Sequence, residues 1–149
     1  MKLLILAVGN PVREDDAVAW RVADALAVED PALELVRAQG LLPDLATRLA
    51  DVAGVVFLDA RDGGEPGTVT VERLTPAAED SGLSHAMTPP ALLALAERLH
   101  GRVPRAALVT ISGARFDFGE ELSEAVADAI PTAVRCVLRL ADDWATELA

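Results

Sequence analysis

The sequence predicts an α/β domain, a three-layer α/β/α sandwich built around a mainly parallel sheet. Three observations predict it. Five short runs rich in Val, Leu and Ile are distributed along the chain. Most lack polar alternation, the pattern of strands covered on both faces. Stretches of helical periodicity fill most of the gaps between them. The 149 residues suit one domain, 1–149, with no repeat, linker or low-complexity tract dividing it.

The first strand is Leu3–Val8. Its apolar stretch is short, and Gly9-Asn10-Pro11 leads from it into Glu14-Asp15-Asp16, so it reads as a buried strand and not as a secretory leader. A first helix follows the acids, with Val18, Val22 and Leu26 on one face. The second strand is Leu33–Arg37, and after Pro43 a second helix carries Leu45, Leu49 and Val52 on one side. Gly54–Asp59 is the third strand. Only residues 60–67 separate it from the fourth, Thr68–Arg73, too few for a crossover helix, so the fourth strand is expected to run antiparallel. Val69 and Val71 alternate with Thr70 and Glu72, which suits an edge. The third helix has Thr88 as its N-cap, Pro89 in its first turn, Leu92, Leu95 and Leu99 on one side, and Gly101 beyond its end. The fifth strand is Ala106–Ile111. The last helix runs from Ser123 towards Trp144, with a kink expected at Pro131.

Composition excludes several classes of function. A net charge of −11 argues against a nucleic-acid binder, which needs a basic stripe to displace counterions. The single cysteine excludes an internal disulfide and a zinc site of several thiolates. No stretch approaches the roughly 20 apolar residues of a membrane span, and the expected location is the cytoplasm. There is no G-x-G-x-x-G, no G-x-x-x-x-G-K-[ST] and no G-x-S-x-G, so phosphate cradles and a serine nucleophile elbow have no support. Cys136, between Val134 and Val137, reads as core.

In open α/β sheets, ligands gather outside the carboxyl ends of the strands. This chain puts Asn10, Asp15 and Asp16 after its first strand, Gln39 after its second, and Asp59 at the end of its third. The loop from Thr75 to Ser84 has a reach of roughly 33 Å, enough to return the chain to that end of the sheet and deliver His85 beside Asp59. Asp16, Asp59 and His85 thus converge. Two carboxylates and an imidazole suit a divalent ion with positions left open. Crowding Asp15, Asp16 and Asp59 carries like-charge repulsion that a metal, an arginine or a shared proton would relieve. Each residue also has a plainer explanation. Asp16 would serve as a helix cap, His85 as an ordinary loop residue, Asp62 as turn chemistry. A carboxylate buried at the end of a strand is harder to dismiss, because burial without a partner is costly.

At these residues the sequence resembles the hydrogenase maturation proteases, endopeptidases that trim the C-terminal tail of nickel–iron hydrogenase large subunits. Leu4-Ile5-Leu6-Ala7-Val8-Gly9-Asn10 with Arg13-Glu14-Asp15-Asp16 is similar to the family's opening motif, G-x-G-N-x-x-x-x-D-[DE]-G-x-G. Val55–Ala60, Pro66-Gly67-Thr68-Val69, Ser84-His85 and Phe118–Ser123 resemble later motifs, the last being the family's G-x-x-L-[ST] before the final helix. The resemblance implies a phosphorylase/hydrolase-like sandwich with a five-stranded mixed sheet, order 2-1-3-5-4, strand four antiparallel. It implies Asp16, Asp59 and His85 as catalytic and metal-contacting residues, with Asn10, Asp15 and Gln39 in support. The implied ion is nickel supplied by the substrate, and the implied partner is the large-subunit precursor of a nickel–iron hydrogenase. The sequence does not set the oligomeric state, and a monomer is the favoured expectation. The enzyme would be an aspartic-type or nickel-dependent peptidase. Two departures stand out: Ala17 and Ala19 replace motif glycines, and Gln39-Gly40-Leu41-Leu42-Pro43 replaces the family's Asp-x-Gly-Thr-x-Gly loop.

Two rival functions remain on residues alone. A phospho-receiver domain also has acids after strand one and an Asp after strand three, but needs a lysine after strand five, and the only lysine here is Lys2. A module that holds a hydrogenase subunit or a metal without cutting is the other.

Overall fold

Backbone pairing along the apolar runs produces one five-stranded sheet, ordered β2-β1-β3-β5-β4. The computed structural model describes residues 2–78 and 87–148. The strands are β1 (Leu3–Val8), β2 (Glu34–Ala38), β3 (Gly54–Asp62), β4 (Val69–Leu74) and β5 (Arg105–Gly113). The first three and β5 are mutually parallel, whereas β4 pairs antiparallel with β5. The short connection from β3 leaves no room for a crossover helix, and β4 takes the edge its alternation suited. This order differs from the all-parallel 2-1-3-4-5 sheet of flavodoxin-like receiver domains, which removes the receiver reading.

Helices cover both faces. On one side α1 (Val18–Glu29) and α4 (Glu124–Leu148) pack on Leu3, Ile5, Ala7, Val56, Leu58, Val109 and Ile111. On the other, α2 (Leu45–Ala50) and α3 (Pro89–His100) pack on Leu4, Leu6, Val55 and Phe57. The central strands therefore read as continuous apolar runs, because alternate residues enter different cores. No helix among the described residues is long and apolar enough to cross a membrane.

Several expectations need correction. The apolar face of α3 is Ala91, Leu92, Leu93 and Ala96, while Leu99 is 61% exposed near the helix end. Thr88 does cap this helix, accepting a hydrogen bond from the Ala91 N–H, and Gly101 ends it. α2 stops at Ala50, short of Val52. α4 begins at Glu124, one residue after Ser123, and includes Pro131, where proline removes one ladder bond; the buried seam from Val126 to Trp144 spans that position. Cys136 is half-buried and not in the core.

Trp144 closes the α1/α4 core at the amino end of the sheet, fully buried against Gly54. A Cβ on Gly54 would lie 2.7 Å from the Trp144 ring. Gly54→Ala is therefore expected to destabilise the protein by about 1–3 kcal/mol through overpacking, read as a lower urea midpoint at unchanged slope. An unchanged midpoint would mean that Trp144 repacks freely.

Candidate active site

The site forms where β1 stops and its neighbours continue. β1 ends at Val8, whereas β3 and β5 remain paired as far as Asp62 and Gly113. Gly9 then donates its N–H to the Ala38 carbonyl at 2.9 Å, holding the chain at the end of β2. A Cβ on Gly9 would stand 2.1 Å from the Asp16 carbonyl oxygen, so only glycine permits this approach. The turn that follows is local: the Val12 N–H donates to the Asn10 side-chain oxygen at 3.1 Å.

Asp16 lies in a 3-10 turn, Glu14–Ala17, that leads into α1. It does not cap α1, which has no side-chain cap. Its carboxylate instead accepts the Asn10 N–H at 2.9 Å. Asn10 thus supports Asp16 through its backbone.

Asp15 turns the opposite way and is fully buried. Its Oδ2 accepts the N–H groups of Ala114 (2.8 Å) and Arg115 (2.9 Å) and the Ser123 hydroxyl (2.7 Å), while Oδ1 accepts the Ser123 N–H at 2.7 Å. Burial alone would raise its pKa, but the Ser123 and Arg115 N–H groups, the Ser123 hydroxyl and the Ala114 N–H outweigh it and hold the carboxyl below its ordinary value. This carboxylate joins the segment after β1 to the segment after β5 and to the start of α4.

Between the two acids and the loops, Glu14 is held in a left-handed conformation, φ 49°, which is strained for a residue with a side chain. Its N–H donates to the Gly119 carbonyl at 2.9 Å, and its carboxylate pairs with Arg115 at 2.9 Å. The strain persists because both ends are fixed.

Asp59 lies within β3 and does not end it, since the strand continues through Asp62. Strand alternation puts it on the face of Val55 and Phe57, at the point where β1 no longer flanks β3. The Ala60 N–H donates to its Oδ1 at 2.8 Å. Burial pushes its pKa up; that hydrogen bond opposes the rise and the charge of Asp16 adds to it, leaving Asp59 at about 7. Two of the predicted acids are thus brought within electrostatic reach of each other. A groove of about 450 Å³ lies next to Asp59 on the β4/β5 side of the sheet, lined by Arg61, Thr70, Glu72 and Thr110, the last being the cross-strand neighbour of Asp59.

The remaining predicted residues divide. Gln39 is exposed just beyond β2. His85 lies outside the described residues, but Met87, two positions on, donates its N–H to the Leu41 carbonyl in the loop after β2. Among the described residues no group of three or more His, Cys, Asp or Glu is arranged to hold a metal ion. Ala17 and Ala19, the departures from the glycine motif, are both buried, Ala19 in the core beneath α1. Sequence reasoning gave no role to Arg115, and it quoted Ser123 and Arg13 only as motif residues; for Ser123 the motif match and its place beside the free N–H groups that open a helix were the usable signals.

No protein-family model matches the chain, and no curated protein does. Solved structures do. The hydrogenase maturating endopeptidase HybD from E. coli superposes with a TM-score of 0.76 at 22% identity, over 96% of this chain and 93% of that one. A hydrogenase 2 maturation peptidase from a Thaumarchaeota archaeon gives 0.71 at 26% identity, over 95% and 99%. The [NiFe] hydrogenase maturation protease HybD from Thermococcus kodakarensis gives 0.71 at 22%, over 94% and 99%. The chain has the fold of the hydrogenase maturation proteases. The resemblance read from the sequence motifs therefore extends to the whole maturation-protease architecture, including the antiparallel edge strand.

Two predictions follow from the acids. With a pKa near 7 in the folded state and about 4 unfolded, Asp59 binds more protons folded than unfolded. Stability should fall as pH rises from about 4 to 7 and then level off. The carboxyl carbon shift of Asp59 should titrate near neutrality in the metal-free protein, and Asp16→Asn should lower that midpoint; an Asp59 titrating near 4 would contradict both. Asp15 has the opposite sign: its contribution is present above about pH 4 and lost as pH falls through its lowered pKa. Asp15→Asn removes the charge and leaves the amide NH2 facing at least the Ser123 N–H donor, and should cost about 3 kcal/mol in urea unfolding at neutral pH. A cost below about 1 kcal/mol would show that the clamp adds little.

Proposed function

We propose that this chain is an endopeptidase that removes the C-terminal extension of a nickel–iron hydrogenase large-subunit precursor after nickel insertion. The observation that carries the proposal is the meeting of Asp16 and Asp59 at the carboxyl end of the sheet, in a fold shared with maturation peptidases. A carboxylate whose pKa is raised by burial first, and further by the like charge of Asp16, would be relieved by a partner of opposite charge. A divalent cation arriving in the substrate would supply that charge. The donor set fits: two carboxylates, with His85 proposed as the imidazole, suit a borderline ion such as nickel. Such an ion supplies Lewis-acid polarisation of a carbonyl or of water.

The chain's own residues have separable tasks. Asn10 and Gly9 hold Asp16 in place, one by a hydrogen bond and the other by allowing close approach. The Ala60 N–H orients Asp59. One carboxylate of the pair, Asp16 or Asp59, is proposed as the general base at the peptide bond. A cytoplasmic monomer is the proposed working form.

Incubation with the nickel-loaded precursor should produce the mass decrease of tail removal. Asp16→Asn and His85→Ala should each abolish it with the circular dichroism spectrum unchanged. Cleavage retained in both variants would refute the residue assignment. Binding of the precursor with no mass change would identify a holding module.

A further inference from the structure

The segment that Asp15 clamps also displays the most exposed aromatic side chain of the described residues. Phe118 is 83% exposed, in an otherwise well-bonded loop. The Gly119 N–H donates to the Val12 carbonyl at 2.9 Å, and the Asp15 N–H to the Arg115 carbonyl at 3.0 Å. Arg13 forms a parallel bridge with Gly119, and its guanidinium donates to the Phe116 carbonyl. The same guanidinium lies 5.5 Å from the Phe118 ring centroid, a cation–π geometry that orders the ring. Val12, 46% exposed, stands on the partner side of this bridge. Two loops remote in sequence are thus fastened together with an apolar pair left facing out, directly before Asp15 and Asp16. A preordered aromatic surrounded by backbone hydrogen bonds loses little entropy on binding and has the character of an interface hot spot.

The surrounding charge identifies the kind of partner. Asp117, Glu120, Glu121 and Glu124 are exposed around Phe118, Arg115 is paired with Glu14, and the whole chain carries −11. We propose that the Val12–Phe118 ridge docks the folded body of the substrate protein, through an apolar recess on that protein rimmed by Lys or Arg. The proposal rests on the endopeptidase function above for the identity of the partner. It adds that recognition begins on a surface outside the acid pair, before the tail reaches Asp59. Because the ridge and Asp16 share one hydrogen-bonded unit, docking at Phe118 orients the tail relative to the acids.

The test measures binding and cutting separately, using the nickel-loaded precursor and the full chain. Phe118→Glu should raise the Kd at least tenfold by interferometry, with Tm unchanged, while Val28→Glu should not. Val28 is equally exposed, at 82%, but near the far end of α1. Wild-type affinity should also weaken as salt is raised. If the wild type binds without cutting and Phe118→Glu loses binding, the docking surface stands and the endopeptidase function fails. If Phe118→Glu binds as the wild type does, the docking surface is wrong whether or not cutting occurs. Failure of the wild type to bind, or a self-association of this chain that Phe118→Glu abolishes, would also overturn it.

Discussion

The buried carboxylate of Asp15 is the constraint from which the rest of the site is built. It is ionised inside the protein because four donors from Ala114, Arg115 and Ser123 converge on it. That geometry requires the segment after β1 to lie against the segment after β5 and the first residues of α4. Once it does, Glu14 is forced into a left-handed conformation, and Asp16 is turned back towards the Asn10 N–H. Adjacent acids in one short turn thereby acquire opposite environments. One is saturated with donors and inert; the other keeps a single backbone hydrogen bond and faces the third acid.

That third acid completes the electrostatic logic. Asp59 enters from β3, a strand buried on both faces over most of its length, one residue past the last β1–β3 pair and level with Val8 at the end of β1. The desolvation that makes a strand stable is unfavourable for a carboxylate, and the charge on Asp16 increases the cost. A protein that keeps two acids in such a relation forgoes stability at neutral pH, as functional sites often do. The groove beside Thr70 and Thr110 opens next to Asp59 on the β4/β5 side of the sheet.

Much of this architecture was legible in the sequence because it depends on pattern. The absence of alternation in Leu3–Val8 and Gly54–Asp59 reports burial on both faces, and the eight residues from 60 to 67 exclude a crossover helix and so set the direction of β4. Strand order was a different matter, since no local pattern reports which neighbour a strand chooses; motif resemblance supplied it. The site was legible in its acids and not in their division of labour. Asp15 and Asp16 look equivalent as letters, and only the long-range donors from Ala114, Arg115 and Ser123 separate them. Backbone N–H groups leave no trace in composition. Leu99 shows the limit of periodicity: it continues the helical repeat of Leu92, yet one residue from the end of α3 it is exposed.

The central claim is that the two acids together sense a cation carried by the substrate. The most direct measurement compares the affinity of the protein for nickel-loaded and nickel-free precursor, in the wild type and in Asp59→Asn. Tighter binding of the loaded form by the wild type, with the preference lost in the variant, is the predicted result. Equal affinity for the two forms, or a preference that survives in Asp59→Asn, would contradict it.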